Sequence, residues 1–232
     1  MSNKAATDMS HDWAHAYQLY KNRGEDLAYP SETLVRLLKG DYVTGQREDV
    51  AGKSVLDIGF GNGNNTMLLA SLGMKVTGVE IHEDICSQVA QTFENLGLEA
   101  DFRVGDNQNI PFDDNSFDYL VSWNVIHYVG TEEAIKDSIK EYARVLKPGG
   151  RLLLSTTGPT HKILLNGKTR GHHQYEIQRP GDFRQGQIHF FFDSPNYIEF
   201  YFGPHFKELQ IGRIEDQLFL EKLDWWLVTG VK

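Results

Sequence analysis

The sequence of 232 residues contains one cysteine, Cys86, and no apolar run that approaches the ~20 residues of a membrane-spanning helix. A single cysteine excludes a disulfide bond within the chain and suits a reducing compartment, so we expect a cytoplasmic protein. The N-terminus lacks the apolar segment of a secretory signal, and residues 1–9 are predicted to be disordered. We therefore expect no membrane partner.

Basic side chains are also in short supply. The 23 Lys and Arg residues are outnumbered by 32 Asp and Glu residues, which gives a formal net charge of −9. Proteins that bind nucleic acids usually present a basic surface to the phosphates, and a negative net charge opposes this approach at long range. The charge argues against a nucleic-acid partner and favours a small molecule or a protein. Nothing in the sequence indicates the oligomeric state.

Glycine, in contrast, is concentrated in one informative segment. A short apolar run ends at Asp57, and Gly59, Gly61 and Gly63 then alternate before a helical pattern begins. This arrangement predicts a buried strand that turns tightly into a helix around a ligand, with free N–H groups at the start of the helix. A second apolar run ends at Glu80, where such folds place an acidic residue that binds ribose hydroxyls.

The spacing of the glycines distinguishes between two classes of cofactor. A dinucleotide fingerprint requires Gly-x-Gly-x-x-Gly, but the third position is Asn64 in one register and Thr66 in the other. An NAD-dependent oxidoreductase is therefore disfavoured. The segment instead resembles the Asp/Glu-x-Gly-x-Gly-x-Gly signature of class I S-adenosylmethionine-dependent methyltransferases, and it matches that signature at every fixed position.

Three later segments extend the resemblance over residues 50–157. They are the acidic residue Asp106 with its neighbour Asn107, the apolar stretch at residues 116–128, and the helix, Pro-Gly-Gly turn and strand at residues 141–155. The resemblance implies an α/β fold with a Rossmann-like, seven-stranded, mostly parallel sheet, helices on both faces and a C-terminal antiparallel hairpin. It also implies S-adenosyl-L-methionine as cofactor, with S-adenosyl-L-homocysteine as product. The expected cofactor-binding residues are Asp57, Gly59, Gly61, Gly63, Glu80, Asp106, Asn107, Asn124 and Tyr20.

We expect residues 1–232 to form a single domain. Its parts are a disordered start at 1–9, an N-terminal helical lid at 10–40, a cofactor-binding core at 50–157, a substrate-side insertion at 158–205 and a terminal hairpin at 206–232. In the lid, Trp13, Tyr17 and Tyr20 fall on one helical face. This face either docks the helix onto the core or covers cofactor and substrate, and Trp13 and Tyr17 are candidate substrate contacts.

The insertion reverses the sign of the charge. Between residues 158 and 190, nine basic or imidazole side chains are opposed only by Glu176 and Asp182; the nine are His161, Lys162, Lys168, Arg170, His172, His173, Arg179, Arg184 and His189. Arginine suits the bidentate recognition of carboxylate or phosphate, so one hypothesis is a small anionic substrate. The alternative is a solvated loop without specific binding. The candidate substrate residues in this region are Arg170, His173, Arg179 and Tyr197.

Two further hypotheses concern histidines. Adjacent histidines such as His172 and His173 do not converge easily on one ion, and no carboxylate cluster lies nearby in the sequence, so we predict no metal. His127 follows the predicted fourth strand, whose end faces the methyl group in the family that the sequence resembles. It is the candidate general base, with a packing role as the alternative.

The predicted function is methyl transfer to a small metabolite by in-line displacement, with an anionic metabolite as the hypothesis for the acceptor. Two alternatives from other classes remain open. One is a protein methyltransferase, which also tolerates the acidic charge, and the other is a non-catalytic module that binds S-adenosylmethionine.

Overall fold

The computed structural model describes residues 13, 15–18, 29–43 and 49–232. The chain divides into two compact units, Met1–Asp106 and Asn107–Lys232. The predictions for residues 1–9 and for Tyr20 lie outside the described residues. Residues 13 and 15–18 are helical, within the region predicted as a lid.

The first unit contains three parallel strands and three bounded helices. The strands are β1 (Ser54–Ile58), β2 (Lys75–Glu80) and β3 (Ala100–Val104), and the helices are α1 (Glu32–Lys39), α2 (Asn64–Ser71) and α3 (Glu83–Asn95). Strand β2 pairs in parallel with both β1 and β3. Strand β1 is buried along almost its whole length, as expected for an apolar strand inside a parallel sheet.

Helix α3 supplies much of the core of the first unit. Its buried residues Ile85, Cys86, Val89 and Phe93 recur at helical spacing and form a cluster with Phe60, the residue between the first two glycines of the turn. Cys86 is therefore a core residue. Because Phe60 is anchored in this cluster, the glycine turn is fixed on the side that faces the protein interior.

The second unit begins with β4 (Phe117–Trp123), α4 (Glu132–Val145) and β5 (Leu146–Thr157). Thr131 caps α4 by accepting the Ala134 N–H at 3.1 Å. Strands β4 and β5 pair in parallel, and their register shifts between Phe117 and Tyr119. The shift accommodates the Pro-Gly-Gly segment, in which Gly149 has a φ of +80°, so the predicted turn lies inside β5, as an irregularity near its start.

The insertion of the second unit is ordered as a small sheet and a helix. Strands β6 (Lys168–Gly171), β7 (Gln174–Glu176) and β8 (Ile188–Phe190) form a three-stranded antiparallel sheet, and α5 (Pro195–Phe202) follows. The phenyl rings of Phe190, Phe192 and Phe202 are fully buried. The segment is therefore ordered as a small sheet with buried aromatic residues, while specific binding by its basic side chains stays a prediction.

The chain ends in β9 (Lys207–Leu218) and β10 (Glu221–Val231), which pair as an antiparallel hairpin, and β10 also pairs antiparallel with β5. The strand order of the whole sheet is β3-β2-β1-β4-β5-β10-β9. This order confirms the predicted seven-stranded, mostly parallel sheet with a C-terminal antiparallel pair. None of the helices within the described ranges has the length and hydropathy that crossing a membrane requires.

Candidate active site

The glycine turn between β1 and α2 has a backbone that other residues rarely adopt. Gly59, Gly61 and Gly63 have φ angles of +63°, +54° and +78°, all in the left-handed region. Space is also limited, because a Cβ added to Gly63 would lie 2.8 Å from Cγ1 of Val89, and one added to Gly61 would overlap the Tyr17 hydroxyl. Conformation therefore favours glycine at all three positions, and packing against Val89 further restricts Gly63.

Glu80, the last residue of β2, holds this turn in place. Its Oε2 accepts the Gly61 N–H at 3.1 Å, and its Oε1 accepts the Ile81 N–H at 2.7 Å. Burial raises the pKa of Glu80, whereas the two backbone hydrogen bonds lower it. Each carboxylate oxygen retains a further lone pair that can accept a hydrogen bond from a ligand hydroxyl.

Asp57, near the end of β1, is a second buried carboxyl group. It is 1% exposed and accepts a hydrogen bond of 2.7 Å from the Thr66 hydroxyl at the start of α2. Burial raises the pKa of Asp57 to about 7, an effect that the Thr66 hydrogen bond opposes and the charge of Glu80 reinforces. A cationic ligand group beside Asp57 would therefore favour its ionised form strongly.

A cavity of about 310 Å³ adjoins the glycine turn. Its lining includes Gly61, Asn62, Tyr17 and His82. Tyr17 and Trp13 lie 5.6 Å apart between ring centroids and pack against the Phe60 cluster. Both lid interpretations of the N-terminal aromatics are therefore compatible with the geometry: Tyr17 packs on the core and also lines the cavity.

The predicted adenine-side residues differ in exposure. Asp106 is exposed at the end of the first unit, whereas Asn107 is 8% exposed in the second unit. Oδ1 of Asn107 accepts a short hydrogen bond from the Tyr142 hydroxyl, which also lies 2.9 Å from Oγ of Ser122. The Asn107 side chain therefore ties its loop to α4 and β4, a structural role that its sequence position did not indicate.

Asn124 follows β4 in a left-handed conformation, with a φ of +61°. Its backbone N–H donates to Oγ of Ser155 at 3.0 Å and to the Ser155 carbonyl at 3.1 Å, and its Oδ1 accepts from the Ser155 hydroxyl. Asparagine tolerates this conformation better than most residues. Its side chain is thus bound to β5, which fixes the loop that leads to His127.

His127 lies in a short 3₁₀ helix after β4 and is 1% exposed. Its Nδ1 is 3.5 Å from the Thr156 hydroxyl, and its ring lies 4.4 Å from Tyr128 and 6.1 Å from Trp225 between centroids. Burial lowers the pKa of His127 well below its usual value, with further lowering by His189, His161 and Arg184. The imidazole is therefore neutral near neutral pH and available as a weak base.

The three arginines and one of the lysines of the insertion are already paired. Arg170 contacts Glu176, Arg179 contacts Glu221 at 2.6 Å, and Arg184 contacts Asp182 at 2.7 Å. Lys162 also pairs with Glu221, on the hairpin. Binding a substrate anion at these arginines would require breaking pairs within the protein, so the geometry weakens the anionic-substrate hypothesis.

The remaining substrate candidates form an aromatic group. The His173 ring is buried, and its centroid lies 4.1 Å from that of Tyr197 and 5.9 Å from that of Phe191. In the described part of the chain, no group of three or more His, Cys, Asp or Glu side chains could hold a metal ion.

Comparison with known sequences agrees with the signature in the glycine turn. Residues 55–150 match the sequence model of the family described as "Methyltransferase domain". These residues thus form a methyltransferase domain. The matched region includes the glycine turn, both buried carboxyl groups and His127.

Two curated methyltransferases illustrate the range of relatives. The "Probable tRNA methyltransferase 9B" of Homo sapiens is 37% identical over 111 residues, which are 47% of this chain and 22% of the human protein. The "Ubiquinone biosynthesis O-methyltransferase" of Xanthomonas oryzae is 32% identical over 142 residues, which are 60% of this chain and 58% of that protein. The chain thus spans about a fifth of the first relative and over half of the second.

Solved structures share the methyltransferase fold. A methyltransferase from Methanosarcina mazei superposes with a TM-score of 0.69 at 22% identity and covers 88% of this chain and 98% of its own. The 1,6-didemethyltoxoflavin-N1-methyltransferase of Burkholderia thailandensis, solved with its substrate and S-adenosylhomocysteine, gives 0.71 at 17% identity, with 100% and 90% coverage. At these identities the likeness establishes the fold alone.

Replacing Glu80 by glutamine should weaken the binding of S-adenosylmethionine about thirtyfold. The amide has only one acceptor oxygen, so it cannot accept both the Gly61 and the Ile81 N–H and still accept a ribose hydroxyl. Isothermal titration calorimetry measures the effect. Glu83→Gln, the same change on the exposed first turn of α3, is the matched control and should bind normally. A Glu80→Gln variant within about threefold of the original affinity would remove Glu80 from the cofactor site.

Proposed function

We propose that this chain transfers the methyl group of S-adenosylmethionine to a small-molecule acceptor and releases S-adenosylhomocysteine. The observation that carries the proposal is the pair of buried carboxyl groups, Asp57 and Glu80, on neighbouring strands beside the glycine turn. Glu80 accepts hydrogen bonds from the ribose hydroxyls, and Asp57 faces the cationic methionine end of the cofactor. Asp106 and the backbone at Asn107 contact the adenine.

The chemistry requires alignment more than activation. A lone pair of the acceptor atom forms the new bond to the methyl carbon, the carbon–sulfur bond breaks, and its electron pair leaves on sulfur as a neutral thioether. Holding the reactants in line is worth roughly 7–11 kcal/mol. Within the second unit, Asn124 is fixed by Ser155, so the chain after β4 forms a rigid wall for the acceptor.

A small acceptor is supported by the nature of two relatives, the ubiquinone O-methyltransferase and the toxoflavin N1-methyltransferase. The likeness to a probable tRNA methyltransferase favours a nucleic-acid acceptor instead, against which the net charge of −9 argues. The two acceptor classes differ in size, so they can be separated directly.

Incubation of the purified protein with methyl-tritiated S-adenosylmethionine and a cell extract divided by size tests this proposal. We expect tritium in the small-molecule fraction, where the labelled product can be identified. Label in the macromolecular fraction alone would replace the proposed acceptor by a protein or a nucleic acid, and treatment with protease or nuclease would tell which. The protein incubated with the labelled cofactor but without extract gives the background.

We propose that His127 accepts the acceptor's proton when the acceptor atom carries one. Its burial keeps the imidazole neutral, and its place directly after β4 agrees with this role. His127→Ala should then lower kcat at least about tenfold, since general bases contribute on the order of 10²–10⁴-fold. His205→Ala, on an exposed histidine, is the control. A loss below about threefold would assign His127 to packing alone.

A further inference from the structure

The second unit contains a group of three buried histidines that the proposed reaction uses only in part. The group, which we call the histidine cluster, consists of His127, His161 and His189, whose exposed fractions are 1%, 4% and 2%. Ring centroids of His127 and His189 lie 5.7 Å apart, and His161 and His127 both contact Trp225, at 4.3 and 6.1 Å. Three separate segments of the unit thus contribute imidazoles to the cluster, and Trp225 contacts two of them.

Hydrogen bonds to the chain define the proton position in His161. Its Nδ1 accepts the backbone N–H of Ile163 at 3.0 Å, so Nδ1 carries no proton. Burial lowers the pKa of His161 to about 4, and the ring is therefore neutral near neutral pH. A neutral ring without a proton on Nδ1 carries it on Nε2, and Nε2 is buried without a hydrogen-bond partner. His161 thus presents an unused donor.

His189 presents the opposite group. Its Nε2 lies 3.4 Å from Oε1 of Gln187, an acceptor, and a hydrogen bond between them places the proton on Nε2. Burial lowers the pKa of His189 to about 3, an effect that Arg184 strengthens, and the ring is neutral. Its Nδ1 then carries a lone pair, and this atom also lacks a partner. His189 offers an unused acceptor in the same cluster.

Aromatic rings connect the cluster to the surface of the second unit. Tyr128 lies 4.7 Å from His189 between centroids, and both Tyr128 and Trp225 are partly exposed. The guanidinium of Arg184, whose charge acts on all three histidines, is bound by both oxygens of Asp182. Buried polar atoms are nearly always paired, so an unused donor and an unused acceptor in one cluster both call for a partner.

We propose that, given the methyltransferase function proposed above, the histidine cluster binds the methyl acceptor as a neutral planar molecule that carries both a hydrogen-bond acceptor and a donor. Its acceptor atom meets Nε2–H of His161, and its donor meets Nδ1 of His189. The rings of Tyr128 and Trp225 contact its faces. A carboxylate or phosphate satisfies only the donor and gains no charge partner, so this site discriminates against the anionic class.

Side-chain nitrogen NMR of the full-length protein, with ¹⁵N-labelled histidine, tests the proposal without requiring turnover. The probes are 2-pyridone, a neutral ring with adjacent carbonyl and N–H groups, and benzoate, a planar anion without a donor. We expect His161 to be protonated on Nε2 in the free protein. We further expect saturable shifts of the His161 and His189 nitrogens with 2-pyridone and none with benzoate.

Substitution provides a second readout. His161→Phe retains the size of the ring but removes the donor, and it should weaken 2-pyridone binding about tenfold. His205→Phe, on an exposed histidine outside the cluster, should leave it unchanged. If His161→Phe does not fold, the titrations of the wild-type protein with 2-pyridone and benzoate test the proposal by themselves.

Shifts with benzoate but not with 2-pyridone would overturn the proposal, and so would the absence of shifts with either probe, which would assign the unused atoms to bound water. Calorimetry with S-adenosylmethionine separates this outcome from a failure of the proposed function. If the cofactor binds normally but neither probe shifts the histidine nitrogens, only the histidine-cluster site is contradicted. If the cofactor does not bind, the methyltransferase proposal is contradicted.

Discussion

Replacing Asp57 by asparagine should raise the free energy of unfolding at about pH 8 by on the order of 4 kcal/mol and change it little at about pH 4. The carboxyl group is buried, and its pKa in the folded protein is about 7, well above the value of 3.8 for an ordinary aspartate. Between these two values the folded state retains a proton that the unfolded state releases. The contribution of Asp57 to stability is therefore complete below about pH 4 and is lost as the pH rises to about 7.

Urea unfolding of the two proteins across this range, without cofactor, measures the difference. Asparagine retains an oxygen that can accept the Thr66 hydroxyl, so the substitution removes the titration and keeps the hydrogen bond. Asp113→Asn, on an exposed carboxyl group, controls for the loss of a surface charge. A stability difference that does not vary with pH would show that Asp57 ionises normally in the folded protein.

Replacing Asp224 by alanine should lower the free energy of unfolding by about 3 kcal/mol. Asp224, on β10, is 0% exposed and accepts hydrogen bonds of 2.8 Å from both Nε and Nη2 of Arg213. It also accepts the backbone N–H and the hydroxyl of Thr160, each at 2.7 Å. Removing the carboxylate leaves these donors without their partner, and the partial exposure of Arg213 places the estimate at the lower end for a broken buried pair.

Thermal or urea unfolding tests this expectation, with Asp216→Ala on the exposed part of β9 as the matched control. The control should change stability by less than about 0.5 kcal/mol. An Asp224→Ala protein as stable as the control would mean that the network is not formed in solution. Because the network joins the start of the insertion to the hairpin, its loss should also weaken methyl transfer more than cofactor binding.

The first unit was largely predictable because the residues that define its glycine turn and its first two strands are close together in the sequence. The glycine turn requires left-handed backbone angles at Gly59, Gly61 and Gly63, and only glycine adopts these without strain. The apolar runs that end at Asp57 and Glu80 likewise define β1 and β2 directly. Here, the residue types that the structure needs are adjacent in the sequence.

The second unit was less predictable because its contacts join residues that lie far apart in the sequence. Arg179 and Lys162 pair with Glu221, which lies 42 and 59 residues further along the chain, so counting charges within the insertion missed their partner. The small sheet of β6 to β8 is made of strands of three or four residues, too short for alternation to be visible. The meeting of His127, His161 and His189 depends on this tertiary arrangement.

If the buried carboxyl groups of the first unit bind the cationic cofactor, binding should release a proton. Calorimetric titration with S-adenosylmethionine at about pH 6, in buffers of different ionisation enthalpy, counts the protons. We expect saturable binding, release of close to one proton, and affinity that rises up to about tenfold between pH 6 and 8, with Asp57→Asn abolishing the release. Saturable binding without proton release would contradict the role of Asp57, and the absence of saturable binding would contradict a cofactor site in the first unit.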